Sequence, residues 1–375
     1  MKKSQLILGL VVLAALVALF LWGRDKFHFD FGVFASQLAM ADWRRIALGI
    51  ACIYFAYVFR AVRWASLLRH NKRVLPFSLL GTQVMGFTAV ALIGRVADPV
   101  RPYLVSKKTG LPVSNQLAVY IVERLLDAGT MALIFSIALI SLSQGAMPHP
   151  EAVRQGHWGP FTNMMNRFPL LAIIITRFGV LGATLLGGLF LLAVRMAGET
   201  VAGFFERIIG LFSQKLGQAV GDKIRAFRAG LDIMRSFADF GIAAGLSLAM
   251  WILISVAYLE TTLAFVASPQ LASMSFARCV VLMMISGGAS IFQLPVLGWF
   301  TQIGAVAATL FKVYDVASEP ATACAATLLL VTFLSVIPVG LIWAQFEHVN
   351  LRKVTHESER AEEDLRPSES STVAE

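Results

Sequence analysis

A chain of 375 residues that is 57% hydrophobic and only 15% charged, with a mean hydropathy of +0.71, lies outside the range of water-soluble proteins, which carry roughly 45–50% apolar and about 25% charged residues. Its formal charge of +9 comes from 32 Lys and Arg against 23 Asp and Glu. These cluster between apolar runs, which argues against a nucleic-acid surface and fits loops beside an anionic lipid leaflet. Cys52, Cys279 and Cys324 stand far apart inside apolar stretches, with no spacing suited to a metal, so neither metal nor cofactor is expected.

In chain order, apolar runs of about 20 residues predict membrane-crossing helices over roughly 4–23, 43–62, 119–142, 169–194, 240–267 and 321–345. The first follows Met1-Lys2-Lys3 and lacks a small-x-small cleavage site before Arg24, so it is read as a retained span, not a signal peptide. Two further apolar regions are interrupted. Residues 77–97 carry Gly81, Gly86 and Gly94 before Arg95, Asp98 and Pro99, and residues 277–314 are broken by Gly287, Gly288, Pro295 and Gly298.

Basic clusters follow the second span (Arg60, Arg63, Arg69, Lys72, Arg73) and residue 195 (Arg207, Lys215, Lys223, Arg225, Arg228, Arg235). The positive-inside bias puts both in the cytoplasm. Three apolar segments separate them, and a return to the same side needs an even number of crossings, so the Gly-rich 77–97 segment is expected to turn back. The same parity makes 277–314 a hairpin from the outer side. The fold expected is all-α, a polytopic integral membrane bundle of about six full spans plus two re-entrant broken-helix hairpins, with both termini cytoplasmic in a cell membrane of the bacterial inner-membrane type. Irregular backbone at membrane depth survives only where protein buries it or water reaches it, and paired breaks point to a substrate site.

Residues 1–350 are expected to form one transmembrane domain. Within it, about 199–238 places Phe204, Phe205, Ile208, Ile209 and Phe212 near helical spacing among basic residues, an amphipathic cytoplasmic segment at the interface. Residues 351–375, rich in Glu, Ser and Arg, are expected to be a disordered charged cytoplasmic tail.

The charged residues inside apolar regions are the candidate site. An ionisable side chain within a membrane helix costs at least ~2.5–3.5 kcal/mol on insertion scales, so it has a partner or a task. Glu123 and Asp127 lie one helical turn apart, and Arg95, Asp98 and Arg101 align if their segment is helical. Carboxylates holding arginines whose spare donors face a polar cavity would make Arg95, Arg101 and Arg124 ligands for a phosphate headgroup. A purely structural ion-pair network is the competing reading. Arg60 and Arg63, beside Trp64, serve equally as interfacial anchors or as second-rank headgroup ligands. Glu260 is expected at headgroup level. Gln293 and Gln302 offer amides within the second hairpin, lining a pathway or satisfying each other.

At these residues the chain resembles the transmembrane region of lysylphosphatidylglycerol synthases, a flippase-like family also found as stand-alone membrane proteins. The resemblance rests on Arg60-Ala61-Val62-Arg63-Trp64, the stretch from Gly94-Arg95 through Asp98 to Arg101-Pro102, Glu123-Arg124 with Asp127, and the Leu294-Pro295 to Gly298 turn, and it spans most of residues 1–350. Asp98 stands where the family more often has Glu, preserving charge. Gln302 stands where many members have Glu, which puts any role of that carboxylate in doubt. The resemblance implies translocation of a polar (phospho)lipid or lipid-linked substrate between leaflets. In the full-length synthases a separate soluble domain performs aminoacyl transfer, and nothing of that size follows residue 350, so no transferase activity is expected.

The partner expected is a membrane phospholipid or lipid-linked glycan, with no nucleic acid and with homo-oligomerisation open. Two other classes compete: a membrane-embedded transferase using a lipid-linked donor, and a non-catalytic scaffold. The transferase lacks a nucleophile elbow, a His-Glu-x-x-His pair, a phosphate-binding Gly-rich loop or clustered His.

Overall fold

The computed structural model describes residues 30–145, 199–210, 214, 217, 218, 221, 237–290, 297–349, 354, 355, 357 and 358. The predicted spans 4–23 and 169–194, most of the 199–238 segment, Gln293 and most of the tail lie outside these residues.

The described elements are helical: α1 (Phe31–Ala39), α2 (Trp43–Leu68), α3 (Pro76–Ile93), α4 (Val100–Thr109), α5 (Val113–Gly145), α6 (Phe237–Leu263), α7 (Pro269–Ala272), α8 (Phe276–Ala289), α9 (Leu297–Val313), α10 (Ser318–Leu329) and α11 (Val336–Phe346). Five helices are long and apolar enough to cross a membrane: Trp43–Leu68, Pro76–Ile93, Val113–Leu142, Ala238–Leu263 and Ser318–Phe346. The chain is therefore a polytopic helical membrane protein. Leu48, Phe55, Ile121, Ile137, Ile252 and Ile342 are exposed on the bundle, as expected of helices whose outer solvent is lipid.

Local chemistry sets the helix starts. The Asp42 carboxylate accepts the Arg44 N–H at 3.0 Å to cap α2, Asp30 caps α1 through Gly32 and Val33, and Pro76 occupies the first turn of α3, where its missing N–H costs nothing. α10 and α11 continue one another through a π turn, Leu330–Leu334, in which the Ser335 N–H reaches the Leu330 carbonyl at 2.8 Å. α2 and α6 run antiparallel side by side. Asp42 N–H donates to Ala264 O at one end, and Arg69 pairs with Asp239 at the other.

Those contacts define two ends of the bundle. At the basic end lie Arg69, His70, Lys72, Lys107 and Lys108; His70 meets Asp239 at 2.8 Å and Lys108 meets Glu347 at 2.6 Å. At the opposite end Arg45 pairs with Glu260 at 2.8 Å, and the Asp30 N–H reaches Glu319 at 3.3 Å. The helix over 199–210 lays Val201 and Ala202 toward the basic end and leaves Phe204 and Ile208 exposed. Glu357, in the tail expected to be disordered, accepts from Tyr103 at 2.8 Å and pairs with Lys107 at 3.0 Å.

α3 and α4 form a hairpin that leaves from the basic end and returns to it. Lys72, ahead of α3, donates to the carbonyl of Thr109, the last residue of α4, at 2.6 Å. The turn is built on Gly94, whose φ of 94° and ψ of −170° exclude other residues without strain, followed by the 3-10 turn Arg95–Ala97 and Pro99. This corrects the sequence reading, which placed the whole turn-back within 77–97. Gly81 and Gly86 do not break α3, because glycine in a membrane helix is tolerated where a neighbour needs close approach. At Gly86 that neighbour is Arg101, whose side chain occupies the space a Cβ would fill. The return arm is α4, which lies beyond the 77–97 segment.

α8 and α9 form the second hairpin, from the opposite end. The Arg278 guanidinium near the start of α8 lies 5.6 Å from the ring centroid of Tyr314, just beyond α9, which closes its base by a cation–π contact. The tips of the two hairpins meet inside the bundle: Arg95 Nε donates to Ser290 O at 3.2 Å and Arg95 Nη2 to Ser290 Oγ at 3.0 Å.

The three described cysteines are buried, so single cysteines introduced elsewhere report sidedness against a low background. In sealed vesicles Lys72→Cys and Lys108→Cys should react with an impermeant maleimide from one side, and Arg278→Cys and Lys312→Cys from the other. Labelling of the first two from opposite sides would show that 76–109 crosses the membrane.

Candidate functional site

Glu123 and Asp127 are buried on α5, and α2 and α4 bring arginines to meet them. A single oxygen, Glu123 Oε1, lies within ion-pair distance of four guanidinium groups: Arg124 at 2.7 Å, Arg63 at 2.9 Å, Arg101 at 3.0 Å and Arg60 at 3.4 Å. Asp127 takes Arg63 Nη1 at 2.6 Å, Arg124 Nη2 at 3.0 Å and the Trp251 indole N–H at 3.2 Å. Neutral groups complete the shell: Ser247 Oγ accepts from Arg63 at 2.5 Å, and Gln83 Oε1 accepts from Arg101 at 3.2 Å.

Aromatic faces supply the remaining counter-field. Arg101 lies 4.5 Å from the Phe87 ring centroid and 5.1 Å from that of Tyr120. Arg60 lies 4.4 Å from Phe87, and Arg124 lies 5.2 Å from Tyr120. Guanidinium is the cation suited to such sites, being weakly hydrated and planar.

The cluster is nonetheless unbalanced. Four guanidinium groups surround two carboxylates, which leaves two positive charges in excess among the described residues. Arg63 and Arg101 are 1% exposed and Glu123 is 1% exposed. A buried charge without a partner costs several kcal/mol, so among the described residues the cluster is a place where an anion is favoured.

A cavity of about 190 Å³ adjoins the cluster. Arg60, Arg124, Arg95 and Asp98 face it from the side of α2, α5 and the first hairpin. Tyr258, Ser286, Ser290 and Gln302 face it from α6 and the second hairpin, and Thr332 from the π turn. The Arg124 side chain is 36% exposed and its Nε is without a hydrogen-bond partner. Arg95 and Asp98 lie 3.9 Å apart at the tip of the first hairpin.

The sequence-derived residues therefore divide. Arg60, Arg63, Arg101, Glu123, Arg124 and Asp127 form one cluster; Arg95, Asp98 and Gln302 join it only through the cavity; Gln293 lies outside the described residues. Arg95, Asp98 and Arg101 do not share a helical face, because the 3-10 turn and Pro99 separate them: Arg95 and Asp98 point to the cavity while Arg101 turns into the bundle. Arg60 and Arg63 are buried partners of Glu123 and Asp127, not interfacial anchors, since α2 runs on to Leu68. Gln83, Ser247, Trp251, Tyr258 and Ser286 were not singled out. A lone glutamine mid-helix was the available signal for Gln83; hydroxyls bonding back along their own helix, as Ser247 does to Ala243 O at 2.9 Å, leave none.

A polytopic helical membrane protein with arginines on the otherwise largely apolar wall of a cavity between two hairpins is the class that fold and site define. Residues 6–340 match the family model described as the lysylphosphatidylglycerol synthase TM region, and the chain belongs to that family. No curated protein matches it, and no solved structure does.

The imbalance predicts unequal responses to two charge-removing changes. Glu123→Gln leaves the guanidinium groups facing one carboxylate and should destabilise the fold by about 3–5 kcal/mol, read as an earlier midpoint in detergent-based thermal unfolding. Arg60→Gln relieves repulsion and should move that midpoint far less. Equal losses would show that the cluster is balanced by something else.

Proposed function

We propose that the protein carries a phosphate-bearing lipid headgroup, of a phospholipid or a lipid-linked glycan, between the leaflets of a cell membrane through this cavity. The observation that supports this most is the excess of two positive charges, among the described residues, beside a cavity enclosed by apolar helices. Moving an ionised group into a low-dielectric medium costs of order 20 kcal/mol in the Born limit, which is why an unaided headgroup stays in its leaflet. Guanidinium donors, an amide and serine hydroxyls replace its water while the acyl chains remain in lipid.

Membership of the lysylphosphatidylglycerol synthase TM region family supports a role in membrane lipid handling. In this reading no covalent bond is made or broken. The gathering of Arg69, Lys72, Lys107 and Lys108 at one end supports a cytoplasmic position for that end under the positive-inside bias, with the first hairpin opening toward the cytoplasmic leaflet.

Reconstitution into vesicles with a fluorescent phospholipid and an impermeant quencher tests it. The wild type should expose inner-leaflet lipid to the quencher. Arg95→Ala and Arg124→Gln should each slow that exposure by at least about tenfold, the effect of losing one charge-assisted contact of roughly 1.4 kcal/mol or more, with unchanged elution in size-exclusion chromatography. Wild-type rates in both variants would sink the reading.

A further inference from the structure

The two sides of the cavity differ in chemistry. Arg60, Arg95 and Arg124 face it with Asp98 as the one carboxylate among the described lining residues, and Asp98 already lies 3.9 Å from Arg95. Toward the opposite end of the bundle the lining groups are uncharged. Tyr258 OH donates to Ser286 Oγ at 2.8 Å, and Gln302 Nε2 donates to the same oxygen at 2.5 Å. Ser286 Oγ thus accepts twice and keeps its own proton to donate. Gln302 is 3% exposed, and its Oε1 has no hydrogen-bond partner.

A buried acceptor left unpaired is destabilising, so the built complement of Gln302 Oε1 is a donor on the ligand. Two kinds of donor qualify chemically, a hydroxyl or an ammonium. An ammonium would leave water for a wall offering only neutral dipoles, near three guanidinium groups, and the carboxylate that the described lining offers, Asp98, stands beside Arg95. Like charge in a desolvated site costs several kcal/mol. A hydroxyl carries no such penalty, and it accepts from Ser286 while donating to Gln302.

We infer that the cavity selects an anionic headgroup whose remainder is uncharged and hydroxylated, a phosphodiester carrying a glycerol or sugar, and rejects headgroups that end in an ammonium. The inference deepens the translocation reading by naming its substrate class, and it concerns recognition alone. The phosphate meets Arg60 and Arg124, and the hydroxyls meet Ser286 and Gln302.

Titration of the purified full chain in detergent, followed by calorimetry, tests this with three probes: short-chain phosphatidylglycerol, short-chain phosphatidylethanolamine and water-soluble glycerol 3-phosphate. Phosphatidylglycerol should bind at least about tenfold more tightly than phosphatidylethanolamine, the least that a like-charge penalty of this kind predicts. Gln302→Glu, which puts a carboxylate where the amide stands, should narrow or reverse that ratio. Ser286→Ala should weaken phosphatidylglycerol and leave phosphatidylethanolamine unchanged, which keeps the test intact if Gln302→Glu does not fold. Equal affinity for the two lipids in the wild type, or a ratio untouched by both variants, overturns the inference even where vesicle exchange is normal. Glycerol 3-phosphate binding as tightly as phosphatidylglycerol would uphold the headgroup chemistry while overturning its lipid source, and with it the translocation reading.

Discussion

One carboxylate oxygen approached by four guanidinium groups is the interaction on which the rest of the bundle depends. Helices in lipid gain little from hydrophobic association, because the surrounding chains are as apolar as their own side chains; packing and polar contacts must hold them together. Glu123 does this for several elements at once. It draws in Arg60 and Arg63 from α2 and Arg101 from α4, while Ser247 and Trp251 tie α6 to the same network. The return arm of the first hairpin is anchored by Arg101, which is why Gly86 must leave room for that side chain to cross α3.

The backbone irregularities follow from the same constraint. Broken helices at membrane depth expose carbonyls and amides that hydrocarbon cannot satisfy, and here the turn of the first hairpin, the end of α8 and the π turn all border the cavity. Gly94 and the 3-10 turn end at Arg95 and Asp98, and α8 ends at Ser290. The π turn presents Thr332 to the cavity, and the Tyr54 hydroxyl donates to the carbonyl of Ser335 just after it at 2.9 Å. π turns commonly mark functional positions because they widen a helix locally without ending it. Hairpins entering from opposite ends and meeting at a polar cavity are the arrangement through which transporters expose one site to two sides.

Hydropathy made the class of the protein legible, since length and apolarity are all that a lipid-facing helix requires. The same measure misjudged the candidate site. Arg60 and Arg63 lower the hydropathy of the residues around them, so the second span seemed to end near 62 although the helix continues to Leu68, and two core residues were placed at its edge, as anchors or second-rank headgroup ligands. Their partners stand 63 and 64 residues away in the chain, a distance no local pattern spans. The turn of the first hairpin was misplaced for a related reason. Three glycines looked like equivalent breaks, but only Gly94 adopts a left-handed φ; the others are spacers whose purpose depends on what crosses them. Ser286 and Tyr258 were silent because isolated hydroxyls are common in membrane helices.

The meeting of the hairpin tips separates two scales of rigidity. Arg95 joins Ser290 through two hydrogen bonds, from a side chain that is 44% exposed, and contacts of that kind are worth about 1–3 kcal/mol each. The bases of the hairpins are fixed elsewhere, by Lys72 on Thr109 and by Arg278 over Tyr314. Parting the tips therefore leaves the carboxylate-centred network and both hairpin bases untouched. The divide between the two halves of the lining is a seam that thermal energy can unfasten, while the helices on either side keep their places.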